Sequence, residues 1–561
     1  MFLKEFEPRP VRLKDNRIFE RLELVLGKGN QPLEVIITRA VQRPSQSDLR
    51  VVWKARHGGR ATPVLLVVLY GEKAALCGPS GDLPPVYSDL DSLRVERICR
   101  SALEAPDRHA ALRFLHLALP EVESAIPGLR NEGLFATHEL EHGMKIRPDW
   151  LKAMERARAI FPLRGRPLLE SLGFIIEPLP GPASILRAAK TKIAIAVLLE
   201  RNESPDISNL RFSQLSPISY AMTKAEEENL PFVFIIADSI IRLHPVRQNV
   251  GVGRRGRTET FVELNLNLLE EPNSGLLPLV FSADALKENG AFDQILESSK
   301  RFAGDLGIRL RERIHSRVIP PLAEALIHAR ALKKPGAEDL AETYEMALLV
   351  LFRILFIAYA EDKDLLPYRG NELYRSRSLK QKSRDLVKIL ESGGFGLETT
   401  HLDDVVSLFL VVDKGSQEWQ IPPYNGGLFS SDPSVVDCGA LLKDIRLPNN
   451  VFGPILAELL LDETPEGRGP VDFRSLGVRE FGTIYEGLLE NELSIASTDL
   501  TVDKHGAYRP VRKKRDQITV PSGQPYLHTF PRLSGRPHRK GTLRLYCPPP
   551  PAARLRGNRP T

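Results

Sequence analysis

The most apolar stretch of the chain, residues 346–360, limits what the protein can fold into, because an apolar helix must be surrounded by protein or by lipid. The stretch has fifteen residues and carries Arg353 near its middle. A helix that spans a bilayer needs roughly twenty apolar residues, and an arginine at its centre is costly there. We therefore predict a buried core helix, within a longer helix over residues 337–361, and no membrane as partner.

The length of 561 residues implies several domains, because a single hydrophobic core stops growing well below that size. Hydrophobic residues make up 42% of the chain and charged residues 26%, as in ordinary globular proteins. We predict an α+β multidomain protein without internal repeats. Its four regions are a mixed α/β module (1–150), a second α/β module (151–318), an all-helical region (319–502) and a disordered tail rich in Pro and Arg (503–561).

Cysteine usage and the N-terminal sequence indicate a cellular compartment. The four cysteines lie far apart and form no Cys-x-x-Cys pair, which argues against a disulfide framework and against a cysteine zinc site. The chain begins Met1-Phe-Leu-Lys-Glu-Phe-Glu, without a cationic start followed by an apolar run, so no signal peptide is predicted. We expect a reducing, cytoplasmic location.

Residue patterns in the first module predict both strands and helices. Strands are predicted over residues 49–56, 64–70 and 74–77, where apolar and β-branched residues are frequent. Apolar residues at helical spacing predict helices over residues 93–105 and 109–119, the first with Asp91 or Ser92 as its cap.

In the second module, the sequence predicts three strands over residues 173–178, 184–189 and 192–200, and then a helix over 216–229. Two further strands are predicted over 231–237 and 240–244, and residues 261–269 are predicted to close the sheet. This order fits the core of a PD-(D/E)xK nuclease, which needs an Asp on the second strand and Glu-x-Lys on the third to hold a divalent metal. The second strand has no acid, and the third ends Leu199-Glu200-Arg201. We therefore expect either a degenerate, inactive nuclease-like module, with Glu177 and Glu200 as candidate remnants of its site, or a plain α/β module.

The net charge of +6 comes from one end of the chain. Residues 517–561 contain eight basic residues and no acid, which leaves residues 1–516 at −2. Any DNA-binding surface in the body of the protein must therefore be local. Two basic groups are candidate contacts to a DNA backbone, with solvated turns and linkers as the alternative interpretation: Arg254, Arg255 and Arg257, and then Arg512, Lys513, Lys514 and Arg515.

Two short motifs match known patterns in an unfavourable context. Gly251-Val-Gly-Arg-Arg-Gly256 has the glycine spacing of a dinucleotide site, but a strand-like segment follows where a helix is needed, so we predict a flexible turn. The segment His138-Glu139-Leu140-Glu141-His142 is H-E-x-x-H, in which His138 and His142 could bind zinc with Glu139 as general base. Nearby glycines and the lack of an obvious third ligand favour a solvated helix turn.

Three longer segments, taken together, resemble one family. They are Leu351-Phe-Arg-Ile-Leu-Phe-Ile-Ala-Tyr-Ala-Glu-Asp362, Pro423-Tyr-Asn-Gly-Gly-Leu-Phe429 and Leu476-Gly-Val-Arg-Glu-Phe-Gly-Thr-Ile-Tyr-Glu-Gly-Leu-Leu-Glu490. Their order and spacing are similar to the helical connector that precedes the methyltransferase domain in type IIG restriction–modification and related phage-defence enzymes. From the residues alone, we interpret the first as a core helix with an acidic, solvent-facing end and the second as a glycine-rich turn. The third is interpreted as a helix with Phe481, Ile484, Leu488 and Leu489 inward.

The resemblance implies a support for an S-adenosylmethionine-dependent adenine methyltransferase, whose further motifs do not follow in this chain. The place of the family's Gly–Ser–Tyr-Tyr-Thr-Pro stretch reads Arg539-Lys-Gly-Thr-Leu-Arg-Leu-Tyr-Cys-Pro-Pro-Pro-Pro551. Ile421-Pro-Pro-Tyr424 resembles the base-binding Asn-Pro-Pro-Tyr loop but has Ile421 in place of the hydrogen-bonding Asn. We expect a truncated or frameshifted product from about residue 530, with a natural basic tail as the alternative.

These observations predict the N-terminal part of a restriction–modification DNA adenine methyltransferase, which handles double-stranded DNA without transferring methyl groups itself. The intact relative would use S-adenosylmethionine and flip the target base; no cofactor is expected in this chain. One alternative is a self-sufficient DNA-binding or defence-complex module. The second is a zinc hydrolase built on His138, Glu139 and His142.

Overall fold

The computed structural model describes residues 2–3, 5–13, 19, 21–79, 81, 84–119, 126–200, 203–253, 256–368, 371–424, 427–432, 434–464, 467–503, 507–511 and 517–529. The chain is a mixed α+β protein that divides into two compact units, Met1–Phe302 and Ala303–Thr561.

The first unit begins with a six-stranded sheet in which neighbouring strands in the sequence are neighbours in space. Its elements are β1 (Arg9–Val11), β2 (Leu22–Leu26), β3 (Glu34–Arg39), α1 (Gln46–His57), β4 (Val64–Tyr70), β5 (Lys73–Cys77), β6 (Val86–Asp91), α2 (Ser92–Glu104) and α3 (Arg108–Ala118). Strands β3 and β4 are parallel and are connected through α1, whereas all other pairs are antiparallel. The predicted helices over residues 93–105 and 109–119 are confirmed, with Asp91 as the cap of α2.

The strand predicted over residues 49–56 is wrong, because these residues lie in helix α1. Ser45 caps this helix by accepting a hydrogen bond from the Asp48 backbone N–H at 3.1 Å. Leu49, Val52 and Trp53 recur at helical spacing and are buried, whereas the β-branched Val51 points outward and is 52% exposed. The helical position of the apolar residues therefore outweighs the strand propensity of the Val-Val-Trp run.

A seven-stranded sheet forms the rest of the first unit, in the order β7-β13-β12-β11-β10-β9-β8. Its elements are β7 (Leu129–Glu132), α4 (Trp150–Ile160), α5 (Gly165–Ser171), β8 (Ile175–Pro178), β9 (Ala183–Ala188), β10 (Thr191–Leu199), α6 (Pro217–Glu227), β11 (Phe232–Ala237), β12 (Ile240–Pro245), β13 (Phe261–Asn265), α7 (Leu276–Phe281) and the start of α8 (Ala291–Arg313). All strands predicted for the second module are confirmed. Strand β7, which precedes the predicted boundary at residue 150, pairs with β13.

The first sheet and six strands of the second, β8 to β13, share one topology, although the sequence contains no evident repeat. Strand β7 is the additional strand of the second sheet. In each set of six, three antiparallel strands are followed by a crossover helix, a strand parallel to the third, and two further antiparallel strands. The crossover helix covers one face in each case, with α1 packing on the first sheet and α6 on the second. Helices α2 and α3 cover the other face of the first sheet, and α4, α5, α7 and α8 that of the second. The first unit is thus built from two three-layered modules of the same order.

The second unit is mainly helical and has three short strand pairings towards its end. Its elements are α9 (Ile319–Ala329), α10 (Ala337–Asp362), α11 (Glu372–Arg375), α12 (Leu379–Glu391), α13 (Thr400–Lys414), α14 (Asn449–Leu460), β14 (Leu461–Thr464), β15 (Gly467–Pro470), α15 (Val478–Leu489), β16 (Asn491–Ile495), β17 (Leu500–Val502), β18 (Tyr508–Pro510) and β19 (Pro525–Thr529). Strands pair as β14 with β15, β16 with β19, and β17 with β18.

Two predictions for this unit need correction. The region predicted to be all-helical, 319–502, also contains strands, including the hairpin of β14 and β15. The tail predicted to be disordered from residue 503 contains β18 and β19, which pair with earlier strands. Proline and arginine do not prevent these short edge pairings, because each strand needs only a few backbone hydrogen bonds. Residues 530–561 of the predicted tail lie outside the described residues.

Helix α10 forms the core of the second unit, as its apolar sequence predicts. Among the described helices it has the length and hydropathy of a membrane span, but 78% of its most apolar window is buried inside the protein. It packs against α9, α12 and strand β16. It is therefore a core helix of the second unit.

Candidate functional site

The first two segments that resemble the connector family meet at Arg353, inside helix α10. Arg353 is 3% exposed, and its guanidinium donates hydrogen bonds to the carbonyl oxygens of Leu428 and Ser430, both at 2.8 Å. The guanidinium also lies over the ring of Phe409, 5.3 Å from its centroid. Burial lowers the pKa of Arg353 to about 10. The arginine therefore fixes the end of the glycine-rich segment, of which Asn425 and Gly426 lie outside the described residues.

The third segment packs along the same helix through α15. The ring of Phe481 contacts Tyr359 edge-on with centroids 5.2 Å apart, and the ring of Tyr485 lies 5.2 Å from that of Phe352. The hydroxyl of Tyr344 donates a 2.7 Å hydrogen bond to the carbonyl oxygen of Leu488. Aromatic edges and a buried hydrogen bond thus hold α15 on α10.

The predicted inward face of α15 is correct except at one residue. Ile484 and Leu488 are buried, and Phe481 is half-buried against Tyr359. Leu489 is 44% exposed, so the prediction that it faces inward is wrong. Leu488 and Leu489 are adjacent and therefore point about 100° apart on a helix, so only one of them can follow the buried stripe.

The acidic end of α10 is buried, which contradicts the predicted solvent-facing turn. Glu361 is 1% exposed and Asp362 is 9% exposed. The Glu361 carboxylate accepts hydrogen bonds from the Tyr374 hydroxyl at 2.6 Å and from the backbone N–H groups of Leu379 at 3.0 Å and Lys380 at 2.8 Å. Burial raises the pKa of Glu361 to about 7, although these hydrogen bonds oppose the shift. Glu361 thereby ties α10 to the first turn of α12.

A second set of charged contacts surrounds the same helix end. The Asp362 carboxylate accepts a hydrogen bond from Lys380 Nζ at 3.0 Å, and its backbone oxygen accepts one from Arg474 Nε at 2.7 Å. Arg474 also pairs with Asp364 at 3.1 Å, and Lys363 Nζ donates to the Arg474 carbonyl oxygen at 3.0 Å. Each of these acids has a cation or a backbone donor beside it. The arrangement is therefore suited to holding helices in place and not to proton transfer.

The two candidate nuclease remnants are both exposed and are paired with different arginines. Glu177 lies on edge strand β8, where Arg187 donates to it at 2.8 Å and lowers the pKa of the carboxyl group. Glu200 follows β10, is 76% exposed in its side chain and lies 3.4 Å from Arg211. The neighbouring strand β9 carries no acid. This geometry lacks the paired carboxylates on adjacent strands that a divalent metal requires.

The H-E-x-x-H segment forms a π-helical turn, Glu139–Gly143, and not an α-helix. The rings of His138 and His142 lie 5.1 Å apart, and His138 also stacks on Phe302 with centroids 4.4 Å apart. His142 is exposed, whereas Leu140 is buried. Within the described ranges, no three His, Cys, Asp or Glu side chains form a group that could hold a metal ion. The two histidines therefore share a face without the third ligand that a zinc site needs.

Only one of the predicted DNA-contact residues lies in the described part of the chain. Arg257 precedes β13 and forms an ion pair with Glu226 of the crossover helix α6. A strand follows the Gly251-Val-Gly-Arg-Arg-Gly256 segment, as predicted, so the segment is not the start of a dinucleotide-binding helix. The other candidates lie outside the described residues: Arg254, Arg255, Arg512, Lys513, Lys514 and Arg515.

The second sheet also buries a charged cluster that the sequence pattern did not reveal. Arg242 on β12 donates to Glu263 on β13 at 2.6 Å and to Asp206 at 3.2 Å, with its guanidinium 4.2 Å from the centroid of the Phe261 ring. His244, two residues along β12, is fully buried, and burial lowers its pKa to about 3. In the sequence, the sign of this cluster is that Arg242 and His244 alternate with apolar residues on one strand. Such alternation predicts a polar, exposed face, because the partners that bury these two side chains are distant in sequence.

No family model, no curated protein and no solved structure matches this chain.

Proposed function

We propose that the protein is the DNA-handling front part of a restriction–modification or phage-defence adenine methyltransferase, located in the cytoplasm. Its mainly helical unit would be the support on which a methyltransferase domain docks. Methyl transfer from S-adenosylmethionine would belong to that domain, and double-stranded DNA would be the partner. The module around β8–β13 would be a degenerate nuclease-like core that retains the fold and has lost the metal-binding acids.

The observation that carries the proposal is the convergence of the three family-like segments on α10. Arg353 connects the first segment to the second across 75 residues, and Tyr344 lies 144 residues from Leu488, whose carbonyl it binds. A buried guanidinium is costly unless its donors are satisfied, and the Leu428 and Ser430 carbonyl oxygens satisfy those of Arg353. These contacts between distant segments support the role that the family resemblance implies, a support for a methyltransferase domain.

The order of elements supports the nuclease-like part of the proposal. Helix α5, strands β8, β9 and β10, helix α6 and strand β11 follow one another, with β10 and β11 parallel. This order fits a PD-(D/E)xK core. The fold alone does not define activity, and the exposed, arginine-paired Glu177 and Glu200 argue for a module without cleavage activity.

Docking can be tested by co-expression with an adenine methyltransferase domain of the type IIG class that lacks its own connector. The readout is methylation of plasmid DNA, measured by protection from a restriction enzyme that recognises the same site. We expect the protein to increase protection at least tenfold, and we expect Arg353→Met to remove this gain by releasing residues 428–430. Arg446→Met is the matched control, since the Arg446 side chain is 58% exposed and pairs with Asp403, which is itself half-exposed and lies outside α10.

Two results would count against the proposal. One is an equal effect of the Arg446 and Arg353 variants, because the support would then not depend on the α10 network. The other is methylation of duplex DNA by the purified protein with S-adenosylmethionine and no added domain, because that would place the catalytic machinery within this chain.

A further inference from the structure

A cavity of about 790 Å³ lies at the carboxyl ends of the parallel strands β3 and β4. Its lining comes from the beginning of β2, the end of β3, the segment that leads into α1, the first turn of α1 and Leu69 at the end of β4. Pockets of this volume accommodate small molecules. Ligands of open α/β sheets bind outside the carboxyl ends of the strands, where the crossover connection leaves the sheet.

Three arginines line this cavity and differ in their partners. Arg21 pairs with Glu23 at 3.1 Å, and Arg43 pairs with Asp89 at 2.9 Å. The exposed side chain of Arg39, the last residue of β3, has no hydrogen bond or ion pair to another side chain or backbone group within the described ranges. The cavity therefore combines one arginine that is free to bind an anion with two whose carboxylate partners are solvent-accessible and exchangeable.

In the second module, the corresponding place at the carboxyl end of β10 is filled by side chains of the protein itself. There Arg211, in the connection from β10 to α6, donates to the Leu198 carbonyl oxygen at 2.9 Å and to the Glu203 carboxylate at 2.6 Å. A carboxylate of the chain itself thus satisfies the arginine at the end of β10. The connection after β3 is shorter and supplies no such acid to Arg39, so the first module leaves the position open.

We propose that this cavity binds a phosphate ester of nucleotide size, with Arg39 and Arg43 on the phosphate. A guanidinium presents two parallel N–H donors that match phosphate oxygens, and such charge-assisted bonds are strong. Glu23 and Asp48, which also line the cavity, accept hydrogen bonds from sugar hydroxyl or base amino groups. The two acids therefore favour a nucleotide over inorganic phosphate. The site is separate from the α10 network and does not depend on the proposed docking function.

The test is isothermal titration of the full-length protein with adenosine monophosphate, deoxyadenosine monophosphate, a short duplex oligonucleotide and inorganic phosphate. We expect a mononucleotide to bind more tightly than inorganic phosphate, and Arg39→Ala to weaken this binding about tenfold, the usual effect of losing a charge-assisted bond. Arg39→Lys should recover part of the affinity. Arg9→Ala is the matched control, because Arg9 is an exposed arginine of the same sheet outside the cavity lining.

The results of this titration distinguish a free mononucleotide from duplex DNA as the source of the bound phosphate. Duplex binding without mononucleotide binding, lost in the Arg39 variants and kept in Arg9→Ala, supports the site with a DNA phosphate as its ligand. Absence of binding to every probe overturns the inference, as does an equal loss in the Arg9 and Arg39 variants. Either failure leaves the plasmid-protection result with Arg353 unchanged, so the two proposals fail independently.

Discussion

Burial controls the ionisation of Glu361, whose carboxyl group lies inside the second unit. Its pKa is raised from 4.5 to about 7, mainly because the charged form loses hydration. The folded protein therefore keeps a proton that the unfolded chain releases between these two pH values. The contribution to the free energy of unfolding is fully present below pH 4.5 and is lost as the pH rises through 7. A shift of this size corresponds to about 3 kcal/mol.

We expect Glu361→Gln to remove this pH dependence. The substitution has a constant cost, because the amide has one acceptor oxygen where the carboxylate uses two, one for the Leu379 N–H and one for the Lys380 N–H. Urea unfolding at pH 5 and pH 7.5 should show a difference between wild type and variant that changes by about 2 kcal/mol, because part of the contribution is already lost at pH 5. Glu463→Gln, at an exposed acid, is the control. An unchanged difference at the two pH values would contradict a raised pKa for Glu361.

Arg353, Glu361 and Asp362 show which features of the second unit can be predicted from the sequence and which cannot. An apolar run around Arg353 is enough to predict that it is buried, because exposing the fourteen apolar residues of this run to place one charge in water is unfavourable. Its partners, the carbonyl oxygens of Leu428 and Ser430, are 75 and 77 residues away, and no local pattern identifies them. Glu361 and Asp362 were predicted to be exposed because the partners that bury them come from α12 and the segment before α15.

Among the elements, strands were predicted well where short apolar runs lie between turns. Strands β10, β11 and β12 are of this kind, and β11 and β12 are separated only by Asp238 and Ser239. Helix α1 was missed because its β-branched residues suggest a strand, whereas its capping residue and its buried stripe were the more informative features. Strand propensity reflects packing on a pleated surface and is overridden when burial follows a helical period.

The capping of α1 by Ser45 leads to a prediction at this scale. Ser45→Ala removes the acceptor for the Asp48 N–H and should lower the free energy of unfolding of the first unit by about 1 kcal/mol. Ser45→Asp keeps an acceptor at the cap and should unfold at nearly the wild-type urea concentration. Chemical denaturation followed by tryptophan fluorescence measures both, since Trp53 is a buried residue of α1 and contributes to the signal. Equal losses in the two variants would show that the serine matters for another reason.

The whole molecule contains a repeated topology that the sequence did not reveal. Strand order follows from general rules on crossover connections and strand pairing, which many unrelated sequences satisfy. The connection from the third strand to the crossover helix covers residues 40–45 in the first module and 200–216 in the second, so the two modules cannot be aligned by spacing. The cavity beside Arg39 was equally difficult to predict from the sequence. The place at the end of the third strand is open beside Arg39 in the first module and filled by Arg211 in the second, and this difference arises from the different lengths of the connection.

The distribution of charge over the molecule determines how it should bind DNA. All eight basic residues of the acid-free C-terminal region lie beyond β19, so removing residues 530–561 preserves the pairing of β16 with β19. We expect the shortened protein to bind duplex DNA still, through local basic surfaces, with a smaller dependence on salt. Each phosphate contact that is lost should reduce the slope of log K against log salt by about 0.9. Fluorescence anisotropy from 50 to 200 mM salt measures both slopes, and complete loss of binding would favour the self-sufficient DNA-binding module instead.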